Sequence, residues 1–287
     1  MKLLHKGKVK DIYEYNNENT LLFVFSNRIS AFDIEMHQEI PRKGELLCKF
    51  AKFWFDNLNI NNHMIKMVDN NKMVVEKLSM IPIECVVRGY FYGSLVDRYN
   101  NKQIDIHSPT VNLTNKFRPR LACKLPEPLF DPTTKSFEHD SPISKNTIIS
   151  SHIISEHDFD YIKAKSIRLY EEMRTILEKA GFIIADVKFE FGFNRKGEII
   201  LGDSLGPDEF RIWKKENYQE GEIQESYDKQ ILRDWLSKIG FKEKILEEYK
   251  YNKKPEPPTL PSSMIEEILN RYVYAYEKIT GNKFNEI

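Results

Sequence analysis

The stretch ADVKFEFG, residues 185–192, sets two acids and a base at every second position. With a period of two, Val187, Phe189 and Phe191 fall on one side of a strand, and Asp186, Lys188 and Glu190 on the other. The apolar side has the character of a core face. Carboxylates beside a lysine suit a magnesium site, because hard cations take oxygen ligands and leave positions open for phosphate oxygens. The competing reading is a solvated strand face on which Lys188 neutralises its neighbours, and for a charged face taken at random that reading is the commoner one.

The residues that follow, NRKG and then EIILGD, predict a β-hairpin and bring a further acid, Asp203, into play. A turn over residues 194–197 puts Phe193 opposite Glu198 and Asp203 opposite Lys188, and a two-residue turn at Arg195–Lys196 keeps Asp203 on the same face. Only a three-residue turn moves it to the other face, since a slip of one residue exchanges the faces. Diagonal neighbours on a sheet lie about 7–8 Å apart, within reach of one shared cation.

Other stretches could meet phosphate. HKGKVKDIYE places Lys6, Lys8 and Lys10 around Gly7, without the GxxxxGKS or GxxxxGKT spacing of a P-loop. RGYFYGSL offers Arg88 beside Gly93 and Ser94, a backbone N–H and a hydroxyl for an anion next to a guanidinium. LGDSLGPDEFRIW adds Asp208 and Arg211, the latter suited to a bidentate anion contact. The proline-rich LPEPLFDPTTKSFEHD has the composition of a loop that closes over a substrate, and its adjacent His139 and Asp140 make a poor catalytic dyad. No HExxH, CxxC or GxGxxG is present.

Positioning these groups takes a framework that the hydrophobic pattern outlines. KVKDIYEY with LLFVFS, and MIKMVDNNKMVVEKL, predict two hairpins, with a helix over LLCKFAKFWFDNL between them and a buried strand over IPIECVVRGYFYG after them. Residues 100–152, with six prolines and little periodicity, predict one long functional or disordered loop. A helix opened by Ser155 and Asp158 and closed at Gly181 precedes the charged strand. Two helices close the chain, around SYDKQILRDWLSKIG and SSMIEEILNRYVYAYEKITG, the second with a capping box of Ser263 and Glu266.

The 287 residues are enough for one large domain or two lobes, and 41% of them are hydrophobic. The 43 basic side chains balance 43 acidic ones, which argues against a broad nucleic-acid or membrane footprint. Three scattered cysteines fit a reducing compartment, and no signal-like or membrane-length apolar run occurs, so a cytoplasmic soluble protein is the expectation.

Taken in order, GKVKDIYE, SNRISAFD, IECVVRGYFYGSL, LPEPLFDPTTK with EHD, ADVKFEFG, LGDSLGPDEFRIW and SYDKQILRDWL resemble the phosphoribosylaminoimidazole-succinocarboxamide (SAICAR) synthetase family over nearly the whole chain. The resemblance implies an α+β fold. A β-rich lobe over residues 1–82, like a protein-kinase N-lobe, would stand over a mixed α+β lobe over 83–287, with ATP between them. It implies a ligase that joins L-aspartate to carboxyaminoimidazole ribonucleotide (CAIR) and releases ADP and phosphate, with ATP as co-substrate and Mg2+ as cofactor. On that resemblance Lys8, Lys10, Glu84 and Lys135 serve ATP, while Glu190 and Asp203 hold the metal. Arg88, Ser94 and Arg211 grip the ribonucleotide phosphate, and Asp186 and Lys188 are catalytic. Asp33, His139 and Asp140 line the substrate pockets. A homo-oligomer is an expectation of the same origin. Four positions depart from the family pattern: Asn27 stands for an aspartate, Ser204 for a glutamate, and Glu209–Phe210 for a small polar pair. Two other classes compete with the ligase. A small-molecule kinase would want similar lysines and acids, although HRD and DFG motifs are absent. A non-catalytic nucleotide-binding protein would bind ATP without turnover.

Overall fold

The computed structural model describes residues 1–106, 117–135, 141–251 and 253–284. The chain divides into two compact units, each built from separated segments. The first comprises Met1–Met80, Gly192–Asp208 and Tyr227–Ile287, the second Ile81–Phe191 and Glu209–Ser226.

The chain begins with β1 (Leu3–Lys6), β2 (Lys10–Tyr15), β3 (Asn17–Phe25), β4 (Ser30–Ala31), β5 (Ile34–Glu35), helix α1 (Lys43–Asn57), β6 (Met64–Asp69), β7 (Lys72–Glu76) and β8 (Ser79–Met80). Strands in the order β1-β2-β3-β7-β6 form one antiparallel sheet. Both expected hairpins are present, the first turning tightly at Asn16 with φ of 54° and the second through Asn70–Asn71. Leu46, Leu47, Phe50 and Trp54 recur at helical spacing on α1 and are buried where α1 lies against β3, β6 and β7.

The second unit opens with β9 (Ile83–Tyr90), α2 (Ser94–Asn100), β10 (Lys124–Phe130), β11 (Thr133–Thr134), α3 (Lys145–Ser150), α4 (Glu156–Lys179) and β12 (Phe182–Phe189). The expectation of one long loop over 100–152 is corrected by β10, β11 and α3. Pro126 and Pro128 mask β10 in the sequence; it is an edge strand, where a missing N–H need not break the ladder, and its register against β9 shifts between Lys124 and Leu129. Ser155 caps α4 as expected, accepting a hydrogen bond from the Asp158 N–H at 3.1 Å, and Gly181 follows its end with φ of 85°.

After β12 come β13 (Phe191–Phe193), β14 (Ile199–Leu201) and β15 (Phe210–Lys214). The charged stretch is thus two strands. It breaks at Glu190, with β12 in the sheet β10-β9-β12-β15 and β13 in the small sheet β14-β13-β8. The hairpin turn also differs from expectation. Asn194 N–H donates to Glu198 O and Gly197 N–H to Asn194 O, both at 3.0 Å, closing a three-residue turn, Arg195–Gly197, with Gly197 at φ of 78°. The pairing used to place Asp203 on the face of Lys188 is therefore not the pairing formed. Asp203 stands beyond the end of β14 with a left-handed φ of 56°, so strand alternation does not govern it.

Helix α4 covers one face of the second unit's sheet. Tyr170 Oη donates to Ile184 O at 2.9 Å and crosses directly over Gly89, where a Cβ would lie 1.6 Å from that oxygen. Cross-strand pairs Val87–Val187 and Cys85–Phe189 are completely buried. The other face carries Arg88 and Arg211, each directly opposite Asp186.

The closing segment forms α5 (Gln230–Lys238), α6 (Phe241–Tyr249) and α7 (Ser262–Thr280). Gly240, at φ of 75°, ends the first expected helix and starts α6, a third helix that the pattern did not reveal. The capping box at Ser263 and Glu266 does not form: α7 starts at Ser262 behind Pro261, with no side-chain cap. No described helix is long and apolar enough to cross a membrane.

The first unit is pinned by a completely buried ion pair. Lys43 Nζ of α1 lies 2.7 Å from Asp208 Oδ2, and Tyr272 Oη of α7 donates to Asp208 Oδ1 at 2.9 Å. Burial opposes the Asp208 charge, but Lys43 and Lys229 outweigh it and hold the carboxyl well below its usual range. Replacing Lys43 by Met strands that carboxylate and is expected to cost about 3–5 kcal/mol in urea unfolding. The K43M/D208N double variant is expected to recover most of the loss; equal loss in both would show that the pair's charge is not what matters.

Candidate active site

The charge on the outer face of β12 and at Glu190 just beyond its end is mostly buried, with relative exposures of 8% for Asp186 and 3% for Glu190. The solvated alternative therefore does not hold. Each charge has a partner, and most partners come from strands far away in sequence.

Asp186 lies between two arginines. Arg211 Nη1 donates to Asp186 Oδ2 at 2.8 Å, and Arg88 Nη1 stands 3.8 Å from the same oxygen. Arg88 spends its other groups on Asp131, whose Oδ2 accepts from Nε at 2.6 Å, and on Ser94 Oγ at 3.0 Å. Arg98 of α2 also bonds Asp131. Burial works against the Arg88 charge, yet Asp131 and Asp186 outweigh it and raise its pKa. Burial likewise opposes the Asp131 charge, and Arg88 and Arg98 overcome it to lower that pKa. Three guanidinium groups against two carboxylates leave one net positive charge beside the Ser94 hydroxyl, a set suited to an oxyanion. Gly93 makes room for it: its φ is +60°, and a Cβ there would sit 2.2 Å from Arg211 Nη1.

Further along the face, Lys188 Nζ lies 2.6 Å from Glu84 Oε1 and 3.6 Å from Glu190 Oε1. Thr133 Oγ1 donates to Glu84 Oε2 at 3.1 Å, and Lys135 pairs with Glu190 Oε2. Glu84, Lys188, Glu190 and Lys135 thus form a chain of alternating sign within the second unit.

In the first unit, Lys10 is buried and pairs with Asp203, and its Nζ donates to Ser204 Oγ at 3.0 Å. Phe23 and Phe25 rings lie 5.1 and 5.7 Å from that ammonium. His63 Nε2 is 2.9 Å from Asp203 O, and burial pushes its pKa down to about 4, so it stays neutral at pH 7. Lys8 is half exposed and pairs with Asp33 at 2.5 Å; Asp33 sits in the tight β4–β5 turn with φ of 63°. His139 and Asp140 lie outside the described residues.

The departures from the family pattern have local accounts. Asn27 Oδ1 accepts the Gly44 N–H at 3.0 Å in the first turn of α1, which a neutral amide does as well as a carboxylate. Ser204 supplies the hydroxyl that Lys10 reaches. Glu209 O takes the Lys188 N–H at 2.9 Å, and Phe210 packs opposite Val187. Sequence reasoning missed Asp131, Arg98, Thr133 and His63. Only Arg98 left a signal, standing four residues after Ser94 on one helix face.

The family model described as SAICAR synthetase matches residues 3–248. The chain belongs to the SAICAR synthetase family. Members of this family join L-aspartate to CAIR with consumption of ATP in purine biosynthesis, and the chain is an ADP-forming ligase of that kind. It is 50% identical over 281 residues to the phosphoribosylaminoimidazole-succinocarboxamide synthase of Nitrosopumilus maritimus, covering 98% of this chain and 99% of that protein. Among solved structures, the SAICAR synthase of Saccharomyces cerevisiae complexed with SAICAR superposes with a TM-score of 0.83 at 32% identity, covering 99% of this chain and 96% of that one. A SAICAR synthetase in complex with ADP gives 0.71 at 26% identity over 97% of this chain and 98% of that one. The mixed α+β architecture with several antiparallel sheets is common to them.

Among the described residues no group of three or more His, Cys, Asp or Glu converges as a metal cluster. Gly93→Ala is expected to displace the Arg211 guanidinium and weaken CAIR binding about tenfold or more, the worth of one charge-assisted hydrogen bond. Affinities for ATP and aspartate, measured by titration calorimetry, should stay near wild type; equal weakening of all three would contradict this assignment.

Proposed function

We propose that the ligation runs through an acyl phosphate and that the charged face of β12 carries it. A CAIR carboxylate oxygen attacks the γ-phosphorus of ATP and ADP leaves. The aspartate amine then attacks the acyl carbon, phosphate leaves, and the nitrogen gives up a proton. The first step is needed because a carboxylate is a poor electrophile. Phosphoryl transfer depends mainly on positioning and charge neutralisation, which lysines and a hard cation supply.

The chain of alternating charge from Glu84 to Lys135, in which both carboxylates are buried, is the observation that carries this reading. Lys188 meets the carboxylate being activated, and Asp186 orients Arg88 and Arg211 and addresses the imidazole. Arg88, Ser94 and Arg211 take the ribonucleotide phosphate on their net positive charge. Lys8, Lys10, Glu84 and Lys135 serve the nucleotide, and Asp33, His139 and Asp140 line the substrate pockets. Glu190 and Asp203 offer hard oxygen donors to magnesium, which when bound would neutralise phosphate charge. A kinase-like division of labour, with a β-rich lobe for ATP and a mixed lobe for substrate and metal, belongs to the same proposal. The relatives solved with SAICAR and with ADP support the choice of ligands.

Purified protein with ATP, magnesium, aspartate and CAIR should give SAICAR by mass, with ADP release requiring both aspartate and CAIR. Lys188→Ala should fold normally and lose about a hundredfold or more in turnover, the scale for removing one transition-state charge stabiliser. Unchanged turnover would remove Lys188 from the mechanism, and phosphorylation of a hydroxyl compound without aspartate would overturn the ligase reading.

A further inference from the structure

Arg98, Asp131, Arg88, Asp186 and Arg211 of the second unit form a row of charges that alternate in sign. Their side chains are nearly buried, from 6% to 12% exposed. The row begins and ends on an arginine, so each carboxylate lies between two guanidinium groups. Arg98 and Asp131 have no part in the function proposed above.

Arg88 is fixed through two of its nitrogens. Its Nε donates to Asp131 Oδ2 at 2.6 Å and its Nη2 to Ser94 Oγ at 3.0 Å, while Nη1 stands 3.8 Å from Asp186. Asp131 alone would be a poor anchor for an anion-binding arginine, because a carboxylate in direct contact cancels most of the guanidinium's charge. Arg98 alters that balance, since its Nη2 donates to the same Asp131 Oδ2. Helix α2 carries both supports of Arg88: Ser94 opens it, and Arg98 stands one turn later.

We propose that Arg98 is a positioning residue for the ribonucleotide phosphate: it neutralises Asp131, so that Asp131 orients Arg88 without cancelling its charge. The phosphate meets Arg88, Ser94 and Arg211, and Arg98 acts on it through Asp131. Relative to wild type, R98M makes this set one charge more negative, D131N makes it one more positive, and R98M/D131N leaves it unchanged. In R98M, Asp131 keeps Arg88 as its guanidinium partner and draws it away from the phosphate. In R98M/D131N, a neutral amide oxygen still accepts from Arg88 Nε and leaves the charge to the ligand. The inference rests on Arg88, Ser94 and Arg211 holding the ribonucleotide phosphate.

The test titrates CAIR and ADP separately into the full chain by calorimetry, in wild type, R98M, R98K, R98M/D131N and R211M. Steady-state kcat and KM are measured alongside, and far-ultraviolet circular dichroism checks folding. R98M should bind CAIR about tenfold more weakly, the worth of one charge in a partly screened interior, and should raise KM for CAIR more than it lowers kcat. R98K keeps the charge and should stay within about threefold of wild type, and R98M/D131N should regain most of the loss. ADP affinity should not change in any of the three. Should R98M fail to fold, the double variant decides alone, by whether it binds CAIR within about threefold of wild type. If R211M loses CAIR but R98M/D131N binds it no better than R98M, charge balance by Arg98 is wrong while the phosphate assignment stands. Equal weakening of CAIR and ADP in R98M would overturn the inference in favour of a purely structural role. If R211M binds CAIR as wild type does, the phosphate assignment itself fails, and the inference with it.

Discussion

The active face depends on one buried carboxylate, Asp186, held between Arg88 and Arg211 in the middle of the second unit's sheet. An isolated carboxylate could not stand there, nor could either arginine, because a buried charge is tolerated only when paired. Antiparallel pairing solves this by setting Arg88 of β9 and Arg211 of β15 directly across from it. With these charges balanced, Asp131 can anchor Arg88 and Arg98, and Ser94 can stand beside the guanidinium of Arg88. The opposite face is free to be wholly apolar under α4. The sheet separates core from chemistry across the thickness of one strand.

Much of this was legible in the sequence, and the failures have physical reasons. The alternation in residues 185–192 identified the core side correctly, as Val187 and Phe189 show. It gave no way of knowing that the charged side would be buried, since burial depended on partners about a hundred residues away, such as Glu84 for Lys188. The placement of Asp203 failed on the turn length. Asn194, whose side chain accepts two backbone N–H groups of the turn, and Gly197, in the left-handed region, build a three-residue turn that a pattern of apolar residues cannot count. β10 was hidden by prolines harmless on an edge strand, and α6 by a glycine that ends one helix and begins another. Arg88, Ser94 and Arg211, singled out by residue type as candidate anion ligands, do come together around Asp186, whereas Asp131, which touches two of the arginines, stood among prolines without any periodic signal.

The family reaction gives the electrostatics a purpose. Joining an amine to a carboxylate requires the carboxylate oxygen to become a leaving group. Several negative charges must then be held close together: the nucleotide phosphates, the ribonucleotide phosphate and the carboxylate itself. On the mechanism proposed above, the lysines and arginines paired with Glu84, Glu190, Asp131 and Asp186 would be preorganised for that task, because their desolvation is met on folding and not at the moment of reaction. A face of unpaired cations would repel itself, and a neutral face would supply no stabilisation.

The most direct test of this account follows the oxygen atoms. CAIR carrying oxygen-18 in its carboxylate, turned over with unlabelled ATP and aspartate, should deliver one labelled oxygen to the released inorganic phosphate, as read by mass spectrometry. Phosphate released without label during SAICAR formation would mean that the carboxylate never carries the phosphoryl group, and would contradict the account.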